Sequence, residues 1–146
     1  MKRWRCLFLG LGAGLLLGYQ VALAEAPRTV VIGSDVAEIL AMLDALEGVV
    51  GRDDTSQYPE RVAALPSVGY LRQLAAEGIL SLAPERLIVG AAAGPREVLA
   101  QLEAVGVEVV RIEQGANLAA LPAKIRAVAS AIGRDDAGDA LVSEIE

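Results

Sequence analysis

"TVVIGSD", residues 29–35, is the stretch whose reading decides the fold. Thr29-Val30-Val31-Ile32 is an unbroken β-branched run that stops at Gly33-Ser34-Asp35. A short apolar run closed by turn residues reads as a strand covered on both faces, and a small hydroxyl or acidic residue after it reads as a helix cap. The stretch therefore predicts a buried strand turning directly into a helix, with Ser34 or Asp35 as N-cap. The continuation, "VAEILAMLDALEG" (36–48), places Ile39, Met42, Leu43 and Leu46 at helical spacing and stops at Gly48.

The same alternation runs on along the chain. "VVGRD" (49–53), "ERLIVGA" (85–91) and "VEVVRI" (107–112) are further short apolar runs, each read as a strand. Between them the spacing predicts a helical turn over 61–65 and a short helix over 71–82 closed by Pro84. A helix follows Pro95 and ends at Gly106, another follows an Asn117 cap, and a last one starts near Asp135. Strand and helix recurring every 20 to 30 residues is the sign of βαβ units on a parallel sheet. The fold class is α/β, a parallel-sheet lobe with flanking helices. A chain of 146 residues that is 54% hydrophobic and only 3% aromatic suits one such domain, built on small aliphatic side chains.

Residues 1–24 read separately. "MKRWR" is a basic start, Cys6–Ala24 is an uncharged run of 19 residues, and "VALAEA" offers an A-x-A site at Ala22 and Ala24. That is the layout of a signal peptide cleaved after Ala24, leaving a lobe over 25–134 and a further helical segment over 135–146. A retained membrane helix is the rival, since the run is just long enough to span and carries Gly10, Gly14 and Gly18 as a GxxxG ladder. Cleavage removes Lys2, Arg3, Arg5 and the single cysteine, Cys6, and takes the formal charge from −6 to −9. No basic cluster then remains to suit a nucleic-acid groove.

Little catalytic chemistry is available. Without histidine there is neither a Ser-His-Asp triad nor imidazole metal ligation, and there is no phosphate-binding P-loop. Asp53-Asp54 and Asp135-Asp136 are adjacent acids, a pattern typical of solvated loops and helix caps. Phenol and guanidinium are left. In "LPSVGYLRQL" (65–74), Tyr70 and Arg72 stand two apart, so in an extended segment they face one space. A cation and the amides of a helix starting near Leu71 would favour the phenolate form of Tyr70. Phenolate is a hard ligand for ferric iron and one of the known axial ligands of haem, and Arg72 suits a carboxylate such as a propionate. In the plainer reading, Tyr70 is a half-buried loop residue and Arg72 a charge on a helix surface.

The stretch "TSQYPERVAALPSVGYLRQLAAEGILSLAPERLIVG" (55–90) resembles the periplasmic haem-binding proteins of bacterial haem ABC importers. The likeness is carried by the T-S-x-Y-P loop, L-P-x-V-G-Y-x-R, L-x-A-E-G-I-L-S-L and P-E-x-L-I. The last of these is shared with the wider class of siderophore and cobalamin binders. The resemblance implies a monomeric, non-catalytic carrier that takes up haem in the periplasm for iron uptake and hands it to an inner-membrane ABC permease. It implies that Tyr70 is the axial Fe(III) ligand and that Arg72 supports that ligand or the propionates. Tyr58, in the T-S-x-Y-P loop, is the second candidate beside a simple packing role against Pro59. Arg52 and Arg61 are candidates for propionate or permease contact, set against plain solvated charges, and Glu60, Glu77 and Glu85 for docking on the permease. It also implies a first lobe of a two-lobed protein, with a long interlobe helix beginning near Asp135 and the second lobe outside this chain. The alternatives are a siderophore or cobalamin carrier of the same fold, a truncated α/β enzyme domain, or a membrane-anchored interaction domain if 6–24 is retained.

Overall fold

The computed structural model describes residues 25–115 and 117–145. The leader reading of 1–24, with Cys6 and Tyr19, lies outside them. Four parallel strands form one sheet: β1 (Thr29–Ile32), β2 (Val49–Arg52), β3 (Arg86–Gly90) and β4 (Glu108–Ile112), in the order β2-β1-β3-β4. The helices are α1 (Ser34–Met42), α2 (Glu60–Ala63), α3 (Ala76–Leu80), α4 (Arg96–Ala104), α5 (Leu121–Ala131) and α6 (Asp135–Ile145). The α/β reading holds.

Side-chain alternation builds a core on each face of the sheet. Val31 and Ile88 point into a layer made by α1, α5 and α6, while Val30, Ile32, Leu87 and Val89 point into a layer made by α3 and α4. The central strands are therefore apolar at successive positions, with β1 buried throughout. Each fully buried Val, Leu or Ile contributes about 1.5–3 kcal/mol. The edge strands β2 and β4 carry Arg52, Glu108 and Arg111, which are partly or fully exposed.

Two predicted boundaries shift. The first helix ends at Met42 rather than near Gly48, because Asp44 takes a positive φ of 49° and turns the chain while Leu46 still packs on the core. The helix expected over 71–82 shrinks to α3. Residues 70–73 form a turn closed by Gln73 N–H donating to the Tyr70 carbonyl at 2.8 Å, and their other backbone bonds go to a neighbouring loop. Asn117 does act as a cap, with Oδ1 accepting from Ala120 N–H at 2.9 Å, but it caps a 3-10 turn over Leu118–Ala120 that leads into α5.

The α5–α6 pair straps α1 at both ends. Lys124 on α5 pairs with Asp35 in the first turn of α1, and Arg134, just before α6, donates to the carbonyls of Leu43 and Asp44 beyond its end. The α5–α6 contact is close because Gly138 has no side chain: a Cβ there would lie 2.5 Å from the Cβ of Ala129.

The corner between β1 and α1 is fastened by Asp53. The N-cap is Gly33, at φ 114°, rather than Ser34 or Asp35, although Asp35 Oδ1 accepts from the first-turn Val36 N–H at 2.9 Å. Instead the Gly33 N–H donates to Asp53 Oδ1 at 2.8 Å from the neighbouring strand end. The same carboxylate accepts from Ser56 Oγ at 2.6 Å, Thr55 Oγ1 at 2.5 Å and Thr55 N–H at 2.9 Å. Asp53 is fully buried, which by itself would raise its pKa. The hydrogen bonds from Ser56, Thr55 and Gly33 outweigh that burial and hold the carboxyl below its ordinary value.

Two outcomes test this account. Gly138→Ala should destabilise the fold by about 1–3 kcal/mol from overpacking, read as a lower urea midpoint, despite the better helix propensity of alanine; a raised midpoint would contradict the close α5–α6 spacing. Asp53 stays ionised to lower pH folded than unfolded, so its stabilisation is full at neutral pH and drains away as pH falls below about 4. Asp53→Asn should cost roughly 2–3 kcal/mol at pH 7 and flatten the acid limb of a stability-versus-pH curve; an unchanged acid limb would exclude Asp53 as its source.

Candidate functional site

The winding of the sheet says where a site belongs. The chain goes from β1 outward to β2, then returns across β1 to β3 and proceeds to β4. Helix α1 covers one face and α4 the other. The reversal leaves a crevice at the carboxyl ends of β1 and β3, the usual ligand position in open α/β sheets. A pocket of about 300 Å³ sits there, lined by Ile32–Asp35 after β1 and by Gly90–Ala92 after β3. Leu71, Thr55, Gln114 and Lys124 complete its wall.

Leu71 brings the Tyr70–Arg72 segment to this edge. Residues 66–69 lie along the end of β2, with Arg52 and Ser67 in a parallel bridge. Arg52 N–H donates to Pro66, Val68 N–H to Arg52 and Asp54 N–H to Gly69, at 2.9–3.0 Å. Gly69 takes φ 100°, a conformation that strains any side-chain-bearing residue, although nothing lies within 4 Å of where a Cβ would stand. Beyond it, Gly94 N–H donates to the Leu71 carbonyl at 2.8 Å and Leu74 N–H to the Gly94 carbonyl at 3.0 Å. Val68 and Leu74 are buried in the α3–α4 layer, with Leu71 packed against it. The Tyr70 backbone is thus pinned on both sides by hydrogen bonds and apolar anchors, while its side chain remains 43% exposed.

The turn replaces the extended geometry expected for Tyr70 and Arg72, and the helix amides expected beside them begin only at Ala76. Among the described residues no hydrogen bond joins the two side chains, and Arg72 is exposed. Tyr58 is 69% exposed on the 53–59 loop, which Asp53 ties to the β1–α1 corner.

The other charged candidates divide. Arg52 is half-buried, donating to the carbonyls of Asp53 and Ala63, so it braces the loop rather than standing in solvent. Arg61 is a surface charge paired with Asp44. Glu85 accepts from the Arg28 N–H, while Glu60 and Glu77 are exposed in the first turns of α2 and α3. Among the described residues no group of three or more His, Cys, Asp or Glu is placed to hold a metal ion.

Sequence reasoning missed three participants. Asp53 was legible as an Asp followed two and three positions later by Thr and Ser, the spacing of a side-chain-to-backbone turn. The 91–94 loop gave no signal, because its role is played by backbone groups. The Lys124–Asp35 pair spans 89 residues, beyond any local pattern.

Several solved structures resemble this chain. BhuT, a periplasmic haem-binding protein solved in complex with two haems, is 39% identical with a TM-score of 0.77 over 81% of this chain and 46% of its own. RhuT from Roseiflexus sp. RS-1, a periplasmic haem-binding protein in apo form, is 43% identical with a TM-score of 0.78, covering 82% and 46%. A periplasmic haem-binding protein from Pseudomonas aeruginosa is 38% identical with a TM-score of 0.75, covering 82% and 43%. The chain spans a little under half the length of these three structures. Comparison with curated proteins returned no match. The model of the periplasmic binding protein family matches residues 30–146, and with the parallel sheet and strand-end crevice already in view, the chain belongs to that family.

Proposed function

We propose that this chain forms the first lobe of a periplasmic carrier that captures haem and delivers it to an ABC importer. The observation that carries the reading is the pinned, half-exposed Tyr70 beside the strand-end crevice, in a chain 38–43% identical to solved periplasmic haem-binding proteins. With no histidine in the sequence, Tyr70 is the side chain best suited to hold ferric iron.

In this reading Tyr70 coordinates Fe(III) as phenolate and gives up its proton on binding. A backbone fixed before the ligand arrives keeps the ordering cost of that bond small. Arg72, two residues on and exposed, supports the phenolate or a propionate, and Tyr58, exposed on the 53–59 loop, is the second candidate. No bond of the cargo is made or broken. Helix α6 is the start of the interlobe connection, and a second lobe supplies the opposite wall of the cleft. Glu60 and Glu77, exposed on short helices, are the docking acids, and the carrier acts as a monomer. Residues 1–24 are the export signal, so protein recovered after export begins at Glu25 by mass spectrometry; an intact Met1 would overturn cleavage.

Titration with ferric haem tests the ligand. The full chain should give a high-spin tyrosinate spectrum, and Tyr70→Phe should abolish it with at least a ten-fold loss of affinity. Tyr58→Phe should keep it. The reverse pattern would move the iron to Tyr58, and no haem spectrum in any variant or in a two-lobed version would defeat the haem reading.

A further inference from the structure

The crevice floor holds two polar groups that the other described residues leave short of partners. Lys124 is buried, with only 6% of its side chain exposed, and among the described residues its ammonium bonds only to Asp35. An ammonium carries three donors, and burying one with two of them unused is costly. Gln114, in the segment after β4, has a buried Oε1 with no hydrogen-bond partner among the described residues. Both residues line the same pocket of about 300 Å³, whose other walls include Ile32, Leu71, Ala91 and Ala92.

A small apolar-walled pocket with two convergent unsatisfied groups is built to receive a polar tip attached to an apolar body. The groups specify the tip. Lys124 has donors to spare, and Gln114 presents its NH₂ in place of its oxygen after a half-turn of the amide. An acceptor with two oxygens satisfies both residues at once, which is the geometry of a carboxylate. Asp35 does not forestall this, because it is half-exposed and takes only one of the three ammonium protons.

We infer that Lys124 and Gln114 form a carboxylate-binding subsite in the floor of the crevice, and that it seats one propionate of the porphyrin. The inference rests on the haem reading. It adds a recognition element separate from the iron ligand, since Leu71 lines this pocket while Tyr70 and Arg72 flank it in sequence. The subsite would orient the porphyrin by its acidic edge.

The experiment compares ferric protoporphyrin IX with its dimethyl ester, which keeps the iron and macrocycle but lacks the carboxylate charges. The full chain should bind the free acid about 10- to 100-fold more tightly, the range expected for charge-assisted hydrogen bonds. Lys124→Met should lower that ratio about ten-fold while leaving the iron spectrum unchanged, and Lys124→Arg should retain most of it. Gln114→Leu, outside every helix and strand, should lower the ratio in part and serves as the second variant if Lys124→Met does not fold. Equal loss of both porphyrins in the variants, or an unchanged ratio, overturns the subsite and leaves haem binding standing. Failure of both porphyrins to bind any form overturns the subsite and the haem reading together.

Discussion

A buried carboxylate with no ion-pair partner among the described residues organises the part of this protein that meets solvent. Asp53 draws its compensation wholly from oriented dipoles, two hydroxyls and two backbone amides. Those donors come from the β1–α1 corner and from the loop after β2, so one side chain sets the distance between two neighbouring strand ends. Removing the charge from water is worthwhile only if every donor is in place. The loop bearing Tyr58 and the crevice floor at Gly33 are therefore a single arrangement, formed together or not at all. The Thr-Ser of the T-S-x-Y-P loop, which looks like part of a ligand motif, serves this internal purpose.

The sheet was legible because burial on both faces leaves a plain mark. A central parallel strand has no polar side to show, and runs such as Val30-Val31-Ile32 and Leu87-Ile88-Val89 have few other stable uses. Helix ends were less legible where tertiary contacts compete with local signals. Gly48 looked like a stop, yet α1 ends at Met42, where Arg134 takes the carbonyls that follow. The 71–82 segment has helical periodicity, but the backbone at Leu71 and Leu74 finds partners in the 91–94 loop instead. Apolar spacing told correctly that Leu71 and Leu74 face inward, and it could not tell which backbone conformation puts them there.

At the site, residue type was readable and geometry was not. Tyr70 and Arg72 stood out by scarcity of alternatives in a chain without histidine, and the extended pairing first imagined for them gives way to a turn. Arg52 looked like any surface charge, although its guanidinium reaches two carbonyls in the half-buried loop. What local sequence cannot carry is closure over distance: Lys124 meets Asp35 across 89 positions, and Gly94 meets Leu71 across a helix and a strand.

The strapping of α1 has a mechanical corollary. Helix α6 is seated on α5 at Gly138 too closely to swing by itself, and α5 holds Asp35 at one end of α1 while Arg134 holds the carbonyls at the other. The three helices are thus tied into one layer on this face of the sheet. The helix that carries Lys124 into the crevice floor is therefore the same one on which the last helix rests, so the two ends of this layer share a single support.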